Sequence, residues 1–443
     1  MLNETIAAIS TGTLTATAIS IVRMSGENAF DILNKIFKTK DSNYKGNHIY
    51  YGHIVDPQND EVIDEVLVNI FIAPRSFTGE NMVEINCHGG LYITSKVLTL
   101  CLSYGARAAM HGEFSKRAFL NGKIDLPQAE AINDLIMADN KDNAKLAVNS
   151  LNGSVKKLLN PLIDELEQCI AHIAVNIDYP EYDDNGIITA AEVEKLIKKW
   201  LADCTQIINM AENSLIIKEG IKTVIVGKPN VGKSSLLNAL LSQDKAIVSD
   251  IAGTTRDLVE GDVHLKNVTL HLIDTAGIHD SDNSIEQIGI RKSREALNNA
   301  QLVIVLIDST DFDLEDEKIL KETEKYNRLV VYNKKDKGIT FEGINISAEM
   351  GDIEELTEAI DEMFKKSKIV LSQPALTNER QISLMRQAKA AVENADRALK
   401  ADIPLDLVSE DIESAYRCLK EILGTYTRED LLDGIFSRFC VGK

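Results

Sequence analysis

What this sequence has little of narrows its reading first. Only 5% of its 443 residues are aromatic, with a single tryptophan, while Leu, Ile, Ala, Glu and Lys dominate. That scarcity favours helices and α/β units over a β-sandwich. The six cysteines, at 87, 101, 169, 204, 418 and 440, include no C-x-x-C pair. A zinc site or redox dithiol therefore has no support, and the thiols read as reduced. Positive charge is in deficit: 48 Lys and Arg face 68 Asp and Glu, a net charge of -20. A broad cationic surface for nucleic acid is not expected, although local basic patches stay open. No apolar run is long enough to span a membrane, and Met1-Leu2-Asn3-Glu4 lacks the basic and apolar segments of a secretion signal. A cytoplasmic protein without membrane association is the expectation.

A chain of this length should hold about two to four domains. Residues 1–118 mix β-rich runs with turns. Ala18–Arg23 and Val66–Ile72 read as strands, and Leu91–Leu102 as a helix. Met82–Cys87 alternates, with Val83, Ile85 and Cys87 on one face and Glu84 and Asn86 on the other. This is an α+β domain. Residues 119–215 are helical: Leu151, Val155, Leu158, Leu162, Leu166, Ile170, Ile173 and Ile177 step by three or four, with a kink or break expected at Pro161. Thr189 and Glu192 form a capping box for a second helix carrying Val193, Leu196, Trp200, Ile207 and Ile208. Residues 216–371 alternate apolar strands with helical patterns, as in a mostly parallel α/β sheet. Residues 372–443 return to helices. One carries Met385, Ala388, Val392, Ala395 and Leu399. A last one carries Ile412, Tyr416, Leu419 and Leu423 and is closed by Gly424. The expected fold is multidomain: an α+β N-terminal domain, a helical domain made of two segments, and an inserted α/β P-loop domain.

The inserted domain carries the strongest chemistry. Lys222–Val226 reads as a strand, the loop Gly227-Lys228-Pro229-Asn230-Val231-Gly232-Lys233-Ser234 follows, and Lys233–Leu241 reads as a helix. In that context a glycine-rich loop turns backbone N–H groups toward phosphate oxygens at a helix N-terminus. Asn230, Val231, Gly232, Lys233, Ser234 and Ser235 are the candidate phosphate contacts. Lys233 would add charge at the β- and γ-phosphates, and Ser234 a hydroxyl to Mg2+. In Gly253-Thr254-Thr255-Arg256-Asp257, Thr255 is the candidate to complete the magnesium shell. In Asp274-Thr275-Ala276-Gly277, Asp274 can hold Mg2+ through water and the Gly277 N–H can sense the γ-phosphate. Asn333-Lys334-Lys335-Asp336 ends a further strand. Its Asp336 can accept from N1–H and N2–H of guanine, which selects GTP because adenine lacks the 2-amino group. Ser347-Ala348 fits the loop closing over the base. Each motif is weak alone; five in order are strong.

The hydrolytic machinery lacks a usual part. Where many GTPases place a water-orienting glutamine after Asp-x-x-Gly, this chain has Ile278. No arginine finger is obvious, and Arg256 reads equally as a structural contact. Asn230 could ligate a monovalent cation beside the phosphates, with backbone oxygens from Ser249–Thr254, and a K+ ion there would stand where a finger otherwise sits. Glu286 could then orient water, although by exposure alone it reads as a surface carboxylate.

These residues resemble the MnmE (TrmE) tRNA-modification GTPases over nearly the whole chain. The signs are Gly227–Ser235, Asp250–Asp257 and Asp274–Ile278 in the nucleotide domain. Outside it they are Ser76–Glu80, Cys87–Gly90, Gly112–Lys123 and Phe439–Lys443. The resemblance implies a tetrahydrofolate-binding, dimerising N-terminal domain. Arg23, Glu84, Lys123 and Lys443 match the folate contacts (5-formyl- or 5,10-methylene-tetrahydrofolate). Asn230, Ser249, Ile251 and Thr254 match the K+ ligands, and Glu286 the catalytic carboxylate. Cys440 is a candidate participant in modification. The resemblance also implies a homodimer that forms a heterotetramer with an FAD-containing MnmG (GidA)-type protein. Together they would place an aminomethyl or carboxymethylaminomethyl group on C5 of the tRNA wobble uridine. The chain departs from the family in Thr11–Ala18, often Pro-Gly-rich there, and at His279, often Arg. A second reading, an RNA-binding GTPase switch of the ribosome-assembly type, shares the GTPase motifs but usually appends a basic module, and none is evident.

Overall fold

The structure, a computed structural model, describes residues 4–11, 16–40, 43–138, 140–178, 189–243, 260–265, 268–273, 297, 300–364 and 373–442. The chain forms two compact units. The first comprises Met1–Asp139, Ala147–Ala202 and Ser383–Lys443; the second comprises Asn140–Leu146 and Asp203–Ile382.

The first unit opens with β1 (Ile6–Ile9), β2 (Ile19–Ser25), α1 (Ala29–Ile36), β3 (Phe37–Lys38), β4 (His48–Asp56), β5 (Glu61–Phe71), β6 (Met82–His88), α2 (Leu91–Ser103) and β7 (Arg107–Ala108). The seven strands lie in the order β3-β4-β5-β6-β2-β1-β7. All pairs are antiparallel except β1 with β7. The alternation in β6 decides which face is covered. Val83, Ile85 and Cys87 are buried together with Val22, Met24, Ile32, Leu33, Val97 and Leu100. Glu84 therefore points to the opposite face, where the register sets it between Arg23 on β2 and Asn69 on β5.

Helices α3 (Glu113–Leu120), α4 (Leu126–Met137), α5 (Lys141–Leu151) and α6 (Ser154–Asp178) follow. Of the kink or break expected at Pro161, the break is not found there: the helix boundary lies at Asn152–Gly153, where Gly153 has φ +76°. Leu151 therefore belongs to α5, and α6 runs unbroken through Pro161. Pro161 is on the exposed side, where water can satisfy the carbonyl that its missing N–H leaves free. The buried stripe of α6 is Val155, Leu159, Leu162, Ile163, Leu166, Cys169 and Ile173, with Leu158 and Ile170 only half-buried. The Ile177 side chain lies outside the described residues. Helix α7 (Ala190–Glu219) starts at the expected capping box: Thr189 N–H donates to Glu192 at 2.8 Å, and Glu192 N–H donates to Thr189 Oγ1 at 3.3 Å. Its Trp200 is fully buried, and Nε1–H donates to Leu162 O at 3.1 Å.

The second unit holds β8 (Ile221–Val226), α8 (Lys233–Gln243), β9 (Glu260–His264), β10 (Thr269–Ile273), β11 (Leu302–Asp308), α9 (Leu314–Thr323), β12 (Arg328–Asn333), β13 (Ile344–Asn345) and α10 (Glu354–Met363). The sheet order is β13-β12-β11-β8-β10-β9, parallel except for β9 at the edge. Every residue of β11 is buried, as expected for a central parallel strand covered on both faces. This order brings the C-terminal ends of β8, β11 and β12 side by side, the place where open α/β sheets bind ligands.

The chain then forms α11 (Glu379–Lys400), α12 (Leu405–Ile422) and α13 (Glu429–Phe436). Within the first unit α12 packs on α6, and α13 on α3. Helix α13 was not anticipated; the expected last helix was α12. Phe436 and Phe439 bury against Leu126 and Ala129, which fastens the following segment.

Candidate nucleotide and one-carbon sites

The phosphate loop bridges β8 and α8. Two backbone features shape it. Asn230 is left-handed at φ +61° and Gly232 at φ +97°. A Cβ on Gly232 would lie 2.3 Å from Asn333 Nδ2, so only glycine fits against the base-reading loop. Val231 is buried, whereas Ser234 and Ser235 are exposed on the first turn of α8. Lys233 Nζ donates to the carbonyls of Gly227 and Lys228, each at 2.8 Å, which folds its ammonium back over the loop.

Asn333 ties the phosphate side to the base side. Its Nδ2 donates to Val231 O at 2.8 Å, and its Oδ1 accepts from Ala348 N–H at 2.9 Å. Asp336 Oδ1 accepts from Ser347 Oγ at 2.7 Å. That hydrogen bond holds the Asp336 carboxyl below the usual aspartate value, which favours the ionised form. Lys334 is left-handed at φ +67° and pairs with Asp308 at the end of β11. The expected residues Asn230, Lys233, Asn333, Asp336, Ser347 and Ala348 therefore lie in loops, or at the ends of α8 and β12 that adjoin them, gathered at one end of the sheet. Ser249, Ile251, Thr254, Thr255, Asp274, Thr275, Ala276, Gly277 and Glu286 lie outside the described residues, as do Arg256, Ile278 and His279.

A second constellation stands on the open face of the N-terminal sheet. Arg23 Nη2 and Nε donate to Glu84 Oε1 at 2.8 and 3.0 Å, with both side chains 14% exposed. Arg23 Nη1 donates to Gly442 O at 2.9 Å, and Ser10 Oγ to the same carbonyl at 3.0 Å. Phe114 and Phe77 lie 5.6 and 6.0 Å from the guanidinium. Asn69 Nδ2 reaches Glu84 Oε2 at 3.4 Å. The terminal segment is further held by Gly112 N–H on Cys440 O (3.1 Å) and by His111 Nδ1 against Phe439 O (3.0 Å). Cys440 presents an exposed thiol. Lys123 is exposed and donates to Pro74 O at 2.9 Å. Lys443 is outside the described residues, although its neighbour Gly442 sits on Arg23.

Three arrangements were not foreseen. One is the partnering of Lys228 with aspartates of the β11–α9 turn. Another is the Asp308–Lys334 pair. The last is Arg117, 1% exposed, between Glu80 and Glu113. A lysine at the start of the phosphate loop was the only visible hint of the first. All six cysteines are free, and burial pushes the thiol of Cys101 up to about 12 and that of Cys169 up to about 11, which keeps them unreactive. No helix of the described residues is long and apolar enough to cross a membrane.

A mostly parallel sheet with a phosphate loop after β8, and an Asn-Lys-x-Asp loop two strands away after β12, defines a GTP-hydrolysing enzyme of the P-loop class. Residues 5–123 match the family described as GTP-binding protein TrmE N-terminus, and residues 126–440 that described as MnmE helical domain. The chain belongs to the MnmE (TrmE) family of tRNA modification GTPases. It is 45% identical to the tRNA modification GTPase MnmE of Acholeplasma laidlawii (strain PG-8A), over 99% of both chains. It is 43% identical to that of Levilactobacillus brevis, over 99% of this chain and 98% of the relative. This full-length match favours the tRNA-modifying reading over a ribosome-assembly switch. Among solved structures, a variant of Aquifex aeolicus Era bound to GDP.AlF4- shares 26% identity over 38% of this chain and 65% of its own, with a TM-score of 0.26. The FeoB G-domain from Methanococcus jannaschii shares 27% over 32% and 96%, with a TM-score of 0.24. Scores of this size place no constraint on the present chain.

Proposed function

We propose that this enzyme couples potassium-stimulated GTP hydrolysis to modification of the tRNA wobble uridine. With an FAD-containing partner of the MnmG (GidA) type, it uses 5-formyl- or 5,10-methylene-tetrahydrofolate to add an aminomethyl or carboxymethylaminomethyl group at C5. The observation that carries this reading is the presence, in one chain, of the gathered nucleotide loops and of the Arg23–Glu84–Gly442 constellation.

The donor set fits a folate. Glu84 Oε1 is engaged by Arg23, which orients the carboxylate, while among the described residues Oε2 has the long contact to Asn69 and can accept from N–H-rich pterin. Lys123, and Lys443 beyond Gly442, supply cations for the glutamate carboxylates. Bound, the folate supplies the one-carbon unit. In the nucleotide site, Ser234 and Thr255 would hold Mg2+, and Asn230, Ser249, Ile251 and Thr254 would hold K+. These cations add positive charge at the phosphates. The chain's own steps are distinct. Asp336 reads guanine, Lys233 neutralises developing phosphate charge, and Glu286 orients the attacking water in place of the missing glutamine. Cys440 stays a candidate for the modification step. We assign the active form as a cytoplasmic homodimer, in a heterotetramer with the flavoprotein.

Mass analysis of nucleosides in tRNA from a strain lacking the gene tests this reading. Loss of the C5-modified wobble uridine is expected, and intact modification would discard it.

A further inference from the structure

Lys228 opens the phosphate loop, yet its side chain turns away from the loop's interior. Nζ lies 2.8 Å from Asp316 Oδ2, 2.9 Å from Asp313 Oδ2 and 2.8 Å from Asp311 O. The Lys228 and Asp316 side chains are 8% and 1% exposed, so the ammonium sits within a small acidic nest. The nest is itself rigid. Asp313 caps α9 through the Glu315 N–H at 2.8 Å, and Asp316 Oδ2 accepts from the Asp313 N–H at 3.1 Å. The backbone of Lys228 does a second thing: its carbonyl, with that of Gly227, receives the ammonium of Lys233. Gly227 passes too close to β11 for any side chain, since a Cβ there would lie 2.2 Å from Leu306 O.

We propose that Lys228 is a positioning residue for GTP hydrolysis: latched to Asp313 and Asp316, it fixes the loop carbonyls that hold the Lys233 ammonium in place for the β- and γ-phosphates. A lysine side chain has many rotamers, and a phosphoryl-transfer site gains rate from a charge that needs no reorganisation when negative charge develops. The latch supplies that order from outside the site. It also neutralises Asp313 and Asp316, which would otherwise set two unpaired carboxylates beside an anionic ligand. The hydrogen bond to Asp316, aided by that to Asp313, outweighs burial and keeps the Lys228 pKa above the usual lysine range, so the latch is charged throughout the working pH.

The test uses full-length protein, with steady-state GTP turnover and thermal melting measured on each variant. Lys228→Met should lower kcat about tenfold with KM changed less than about threefold, since the interaction lost is one that serves the transition state. That variant also strands the buried Asp316. The double variant Lys228→Met/Asp316→Asn removes both charges, so its melting temperature should return close to that of the parent while kcat stays about tenfold down. Lys228→Arg should keep most of the turnover. Asp313→Asn keeps the helix cap and removes one charge, and should cost about two- to threefold in kcat in a protein that folds normally. The proposal is overturned by a double variant with parental kcat, which would make the latch a fold element only. A Lys228→Met variant with unchanged turnover, or with a change confined to KM, overturns it too.

Discussion

Arg23, on β2, donates to the carbonyl of Gly442, 419 positions later, at 2.9 Å. Through this bond a residue of the N-terminal sheet holds the end of the helical segment, and its other two nitrogens orient Glu84. Gly442 is placed too tightly for any side chain, since a Cβ would meet Ser10 Cα at 2.5 Å and Ile9 O at 2.6 Å. One arginine therefore joins the strand, the acid and the terminal segment into one site.

Glu84→Gln should weaken tetrahydrofolate binding by about tenfold or more, because a charge-assisted acceptor is worth roughly 1.5–3 kcal/mol and 1.4 kcal/mol is a factor of ten. GTP turnover should stay within about twofold, as Glu84 belongs to a different unit from the phosphate loop. Calorimetric titration with the folate, alongside a GTPase assay, checks both. Unaltered folate affinity would remove Glu84 from the site.

Asp336→Asn should exchange nucleotide preference. In the proposed reading the carboxylate accepts from two guanine N–H groups; an asparagine amide would offer a donor instead, which suits the C2 carbonyl of xanthine. Loss of two charge-assisted bonds predicts a fall in GTP affinity on the order of 100-fold or more. Xanthosine triphosphate should bind better than GTP, and competition between the two nucleotides measures this.

Turnover should be much faster in potassium than in sodium, and Asn230→Ala should erase the difference. Glu286→Ala should abolish most hydrolysis while nucleotide binding stays near normal. Equal rates in the two cations would reject the monovalent site, and unchanged turnover in the second variant would exclude Glu286.

Glu113 makes the acid limb of stability predictable. Burial opposes its ionisation, but Arg107, the Met110 N–H and Arg117 together hold its carboxyl below the usual glutamate value. The folded state therefore binds protons at this site less readily than the unfolded chain. Its stabilising contribution is complete above the unfolded glutamate value of about 4.3 and drains away as pH falls through the lower folded value. Urea midpoints between about pH 5 and about pH 3 should fall less steeply for Glu113→Gln than for the parent protein.

Local order was legible in the sequence because it depends on neighbours. The alternation in Met82–Cys87 told which side of β6 is buried, and Thr189 with Glu192 marked the start of α7. Pro161 does not end its helix, because a proline on the exposed side loses one hydrogen bond that water can replace, whereas the helix boundary rests on Gly153 and its positive φ.

By itself the sequence determined the enzyme class, since a phosphate loop and an Asn-Lys-x-Asp loop work through backbone groups and residues a few positions apart. It determined the likeness to the tRNA-modifying family for the same reason. Only the tertiary structure decided that Arg23 meets Glu84 and Gly442, that Asn333 touches Val231, and that Lys228 is held by Asp313 and Asp316. Those contacts span tens to hundreds of residues. Strand order, register and the burial of one sheet face create them, and no local pattern of residue types encodes such distances.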